Sequence, residues 1–151
     1  MTSCWARQPN TLATFPMPQG SKREVILSGP YAIKVPRPDR QAAGSCLNRW
    51  EAEMWSIWRP KFHWTYLCPV VWAAQDGNVL VMQRATQDVT AAEIAAIENN
   101  DDRPRPSCES KPEDWGRLED GRVVMLDYGY ACDNEDAIQE QRAYYERFPA
   151  R

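Results

Sequence analysis

The sequence predicts an α+β domain built on antiparallel strand pairs, and three observations predict it. Short β-prone runs come in adjacent pairs joined by turn residues, Gly29-Pro30 in one pair and Gln75-Asp76-Gly77 in the other. An apolar pattern of helical spacing lies between the pairs, and a second helical pattern lies near the end. Hairpins on both sides of a helix point to α+β rather than to a doubly wound sheet, whose parallel strands alternate one by one with helices.

Residues 1–19 carry Pro9, Pro16 and Pro18 with little periodicity, which predicts an irregular arm. Residues 23–28 (REVILS) and 31–35 (YAIKV) then read as a hairpin, with Pro36 and Pro38 stopping the second strand. Asp39 offers an N-cap, and Cys46, Leu47, Trp50, Met54, Trp55 and Trp58 recur at helical spacing as far as Arg59-Pro60. Residues 69–74 and 78–83 flank Asp76-Gly77, a strong hairpin signal. Both runs are nearly continuous in apolar residues and are expected to be buried. Thr90 and Glu93 have capping-box spacing at the head of a short helix that ends before Asp101. Residues 101–113 are polar and proline-rich, 123–126 read as a buried strand, and Ile138, Tyr145 and Phe148 mark a closing helix over 134–148.

A length of 151 residues fits one domain able to bury roughly 70% of its unfolded surface. A net charge of −3 and few clustered Lys and Arg argue against nucleic acid as a partner. There is no apolar run long enough to cross a bilayer, so no membrane partner is expected. The first residues lack the basic start and apolar block of a secretory leader, so a cytoplasmic location is expected. Five scattered cysteines with no C-x-x-C pair, and a single histidine, give no zinc-site spacing. Of seven tryptophans, Trp50, Trp55 and Trp58 fall on one helix. Burial is the first reading of that aromatic face, and docking of a protein partner is the second.

Four stretches stand in a set order: Ala32-Ile33-Lys34, a helix carrying Glu51 and Glu53, SCESKPED at 107–114, and Asp127-Tyr128-Gly129. Together they resemble the protein-kinase-like family in a much-truncated form. Ala32-Ile33-Lys34 matches the strand motif V-A-I-K. SCESKPED aligns without a gap with the catalytic loop H-R-D-x-K-P-E-N, and Lys111, Pro112 and Glu113 match outright. Asp127-Tyr128-Gly129 corresponds to the metal-binding D-F-G, thirteen residues beyond Asp114. Gly20-Ser21 with Val25 is a weak echo of the glycine-rich loop. The resemblance implies a reduced kinase-like fold in a single domain over 1–151. Residues 20–85 would form a small antiparallel N-lobe sheet with one long helix, and 86–151 a truncated C-lobe.

The resemblance also implies roles, with ATP and magnesium as cofactors. Lys34 would pair with phosphates and with a helix glutamate, Glu51 first and Glu53 second, while Gln83 and Ala85 would offer backbone groups to an adenine ring. Asp114 and Asp127 would hold metal, and Glu109 with Lys111 would be catalytic. Glu109 stands in the place of an aspartate, and its extra methylene shifts the carboxylate by roughly 1 Å, a displacement that can cost about 10²-fold. Nothing after Gly129 resembles A-P-E or a platform for a peptide substrate. A partner-binding, pseudokinase-like regulator is therefore the first expectation. The alternatives are an active minimal kinase and an unrelated α+β interaction protein. At the level of single residues, Lys34 could also guard a strand edge, Glu113 belong to a solvated acidic loop, and Asp127-Tyr128-Gly129 end a strand in a turn.

Overall fold

The computed structural model describes residues 13–14, 22–99, 104–106, 111–129 and 132–150. Over these the chain is α+β, with a small antiparallel sheet and a few helices. The strands β1 (Ala13–Thr14), β2 (Arg23–Ser28) and β3 (Tyr31–Pro36) come first, followed by helix α1 (Gln41–Glu53). A π-helical segment, Met54–Trp58, continues α1 into α2 (Arg59–Phe62). Then come β4 (Val70–Ala73), β5 (Leu80–Gln83), helix α3 (Ala91–Glu98), β6 (Trp115–Arg117), β7 (Val123–Met125) and helix α4 (Glu135–Glu146). Five strands form one antiparallel sheet in the order β1-β2-β3-β5-β4, and β6 pairs with β7.

The register of the first hairpin decides what faces inward. Arg23 lies opposite Pro36 and Val25 opposite Lys34, so the period of two brings Arg23, Lys34 and Pro36 to one face. All three are buried. Helix α1 crosses close to this hairpin at Gly44, where a Cβ would stand 2.6 Å from the Lys22 carbonyl oxygen and 2.7 Å from the Pro36 Cβ. Only glycine fits that approach. Asn48 and Glu51 follow Gly44 at four and seven residues, which puts them on the same side of the helix. Both are buried, Glu51 completely.

The other side of the helix builds the core. Trp50 stacks on Tyr145 of α4 with ring centroids 6.3 Å apart and planes inclined by 9°. Trp58 and Phe62 also meet Tyr145, at 5.2 and 5.7 Å. Trp64 lies edge-on to the same ring. Trp50 and Trp58, 1% and 5% exposed, are core, which removes them from any docking surface, while Trp55 is half-buried beneath the Arg59 guanidinium. Ile57, 55% exposed, is the large apolar side chain that this helix leaves in solvent.

Several boundaries differ from expectation for identifiable reasons. Two residues of the expected arm, Ala13 and Thr14, pair with β2. Asp39 does not cap α1; its carboxylate accepts from Arg37, and a 3₁₀ turn over Pro38–Arg40 precedes the helix. The helix runs on past Arg59-Pro60. In the π segment the Arg59 N–H donates to the Met54 carbonyl, five residues back, and the Arg59 Nε donates to the Trp55 carbonyl at 3.2 Å. The carbonyl that Pro60 cannot reach for want of an N–H is thereby satisfied. His63, in the left-handed region at φ 53°, ends the helix. In β4, Val71 and Trp72 are 49% and 56% exposed, not buried, because β4 is the sheet edge and its register shifts between Val70 and Trp72. Strand β6 is an addition, joined to β7 through Asp120-Gly121, with Gly121 at φ +88°.

Candidate functional site

Three parts of the chain converge beneath the first hairpin: the inward face of β2 and β3, the Asn48–Glu51 side of α1, and the turn after β7. Glu51 is the hub. Lys34 Nζ donates to both of its oxygens, at 2.9 and 3.2 Å. Arg23 approaches it as a fork, Nη1 to Oε2 at 2.7 Å and Nη2 to Oε1 at 3.0 Å. The backbone N–H groups of Tyr128 and Gly129 both donate to Oε1 at 3.1 Å. Two cations and two amides thus converge on one fully buried carboxylate.

The second tier holds the cations in place. Arg23 Nη1 also donates to Asn48 Oδ1 at 3.0 Å, and Arg23 Nη2 reaches Asp127 Oδ1 at 3.0 Å. Asn48 donates to the carbonyls of Lys34 and Gly77, which ties α1 to β3 and to the turn between β4 and β5. Lys34 Nζ donates to the Leu126 carbonyl at 2.5 Å. Gly129 closes the packing, since a Cβ there would stand 2.9 Å from Glu51 Cγ. The Tyr128 hydroxyl donates to the Cys68 carbonyl at 2.9 Å, and burial pushes the Cys68 thiol up to about 12.

The electrostatics follow from this arrangement. Burial is the largest single influence on Glu51 and pushes its carboxyl up, but Arg23 and Lys34 together outweigh it and bring the group down to about 2. Burial likewise opposes the charge on Arg23, and Glu51 and Asp127 outweigh it, holding the guanidinium above its ordinary value. Asp114 goes the other way: burial, then the neighbouring Asp127 charge, raise it to about 6.

The residues singled out in the sequence separate into distinct places. Lys34, Glu51 and Asp127 share the site, with Asp114 near enough to Asp127 to feel its charge. Glu51, not Glu53, meets Lys34. Glu53 is paired with Arg142 of α4 and accepts from Trp58 Nε1 at 3.2 Å. The backbone of Gln83 is already engaged, its N–H on the Pro69 carbonyl and its oxygen by the Cys68 thiol. Ala85 is half-buried against the core. Lys111 is exposed at the head of a 3₁₀ turn, Pro112–Asp114, whose Asp114 carboxylate accepts its N–H at 3.4 Å. Glu109 and Gly20-Ser21 lie outside the described residues.

Arg23 and Asn48 are the members that motif reasoning passed over. An arginine opening a strand ordinarily faces solvent, and only its register opposite Pro36 marks it as inward. Asn48 could have been found as the polar residue between Gly44 and Glu51 on one helical stripe.

A divalent ion takes several oxygen ligands at one point. Among the described residues no group of three or more His, Cys, Asp and Glu side chains is placed to hold one, and Oδ1 of Asp127 is engaged by a guanidinium. With Arg23 on Oδ1 of Asp127, the described residues form no all-protein cage for a divalent ion.

Comparison of the chain with protein-family models, curated proteins and solved structures gives no match. The chemistry of the site is read from its own residues. What they form is a joint of Arg23 and Lys34 with Glu51 and Asp127, buried at Glu51 and half-exposed at Asp127, that fixes a helix, a hairpin and a turn to one another.

Proposed function

We propose that the chain is a reduced protein-kinase-like scaffold that acts by binding and regulating a protein partner rather than by transferring phosphate. The observation that carries the kinase-like part of this reading is the Glu51 hub. A strand lysine, a glutamate on the following helix and the residues of a D-x-G turn meet in one cluster, and active kinases require a strand-lysine to helix-glutamate pair together with the D-x-G aspartate. Four further features support a binding role. Glu109 replaces the aspartate of the catalytic loop. The hinge backbone at Gln83 is occupied. Asp127 is held by Arg23. Trp72, about half exposed on the edge strand beside Val71, offers an aromatic contact of the kind that anchors interfaces.

A second reading, an active minimal kinase using ATP and magnesium, is favoured by the formed Lys34–Glu51 pair and by the Asp127 side chain, which is 45% exposed. Thermal shift with ATP, with and without magnesium, followed by radiolabelled γ-phosphate transfer, separates the two. The binding reading expects no transfer above background. Transfer that disappears in both Lys34→Met and Asp127→Asn establishes the kinase instead.

A further inference from the structure

We infer that Arg23 is a resident cation that stands in for a divalent ion at Asp127, so that the Lys34–Glu51–Asp127 cluster keeps its form without metal. The inference rests on the kinase-like reading only for the expectation that Asp127 would otherwise hold an ion. Its physical basis is independent of that expectation.

The guanidinium is fixed from three directions. One nitrogen bridges Asn48 and Glu51, and the other bridges Glu51 and Asp127, all at 2.7 to 3.0 Å. A planar fork with two bonds on Glu51 cannot swing off Asp127 without breaking them. Its side chain is 5% exposed, so the charge is screened little by solvent. A second cation brought to Asp127 would meet a buried like charge across a single carboxylate. Arg23 and Lys34 already face Glu51 and Asp127, with Asp114 beside Asp127 as a third carboxylate. A divalent ion at this point would leave the cluster with excess positive charge. The neutralisation of the D-x-G aspartate that a metal would supply is carried out by a side chain of β2, which also ties that aspartate to Glu51.

Manganese alone, with no nucleotide, is the probe. In the isotope-labelled wild-type chain, paramagnetic broadening of the Tyr128 and Gly129 amides reports an ion at Asp127. The expected result is no selective broadening at millimolar manganese. In Arg23→Met, which keeps the bulk and removes the charge, the same amides broaden, with affinity raised at least about tenfold as the like charge is removed. Selective broadening in the wild type, or a folded Arg23→Met chain that still refuses manganese, overturns the inference. Because Arg23→Met can fail to fold, Asp127→Asn gives a second reading at the half-exposed end of the cluster. Slow guanidinium rotation of Arg23, resolved as separate Nη signals in the wild type, should become faster in Asp127→Asn. The same measurement in Asp127→Ala, which removes the acceptor altogether, must show a larger gain in rotation than Asp127→Asn, and rotation unchanged in both variants overturns the inference. Nucleotide takes no part in these measurements. Failure of ATP to bind counts against the nucleotide cleft, and manganese at Asp127 in the wild type counts against Arg23.

Discussion

At the scale of single residues, Glu51 and Gly129 form one contact seen from two sides. Glu51→Gln leaves Arg23 and Lys34 facing a neutral amide in a buried place, and breaking such a pair costs about 3–5 kcal/mol. Urea unfolding followed by far-UV dichroism measures it. A loss below about 1 kcal/mol would show that the hub is not closed in solution. Gly129→Ala pushes a methyl into Glu51 Cγ and should destabilise by about 1–3 kcal/mol, because a fully buried glutamate has no room to yield. Asp114 carries a pH signature of known sign. Its folded-state pKa is raised from 3.8 to about 6, so the folded chain holds the extra proton between those values. Its contribution to stability is present at low pH and lost as pH rises through about 6. Unfolding free energies of Asp114→Asn should therefore fall less across that window than those of the wild type. Parallel slopes would show that Asp114 is neither desolvated nor close to the Asp127 charge.

At the scale of elements, the hairpins, the lysine strand and the capped helix α3 were legible because local signals fix them. Gly29-Pro30 and Asp76-Gly77 set turns, and Thr90 with Glu93 makes the reciprocal cap at 2.9 and 3.3 Å. The Lys34–Glu51 pairing was legible too, since a strand lysine and a helix glutamate in that order narrow the partners to two. What was not legible depends on topology. The sequence Val70–Ala73 reads the same at a sheet edge as at its centre, so the exposure of Trp72 follows only from the strand order. Arg23 owes its burial to partners 25, 28 and 104 positions away, which no local window contains. The π segment was hidden because Pro60 signals a stop unless a side chain covers the orphaned carbonyl, as Arg59 does. A π segment behaves as one residue inserted into an α-helix. Deleting the exposed Ile57 should therefore let the helix run in ordinary register, with the Trp50–Tyr145 stack intact and tryptophan fluorescence unchanged. A red-shifted, unfolded spectrum would show that the wide turn is needed for packing.

At the scale of the whole molecule, the hub and the aromatic core close the chain on itself over long distances. Glu51 lies 77 and 78 positions before the two amides it accepts from, and Trp50 leans on a tyrosine of α4. Such separations make loop closure expensive in entropy before any contact rewards it. For a chain emerging from the ribosome this sets an order of events. The hairpin and α1 are made early and already hold the Arg23, Lys34 and Glu51 side chains, yet the Tyr128 and Gly129 amides that complete the hub, and the Tyr145 ring on which Trp50 and Trp58 pack, come only with the segment from Asp127 to Tyr145. Folding of this unit is therefore late and all-or-none rather than stepwise along the nascent chain. A fragment ending at Leu126 should show no cooperative thermal transition, although every member of the first hairpin and of α1 is present in it. The segment after Leu126, about one sixth of the sequence, thus acts as the signal that lets the residues before it fold.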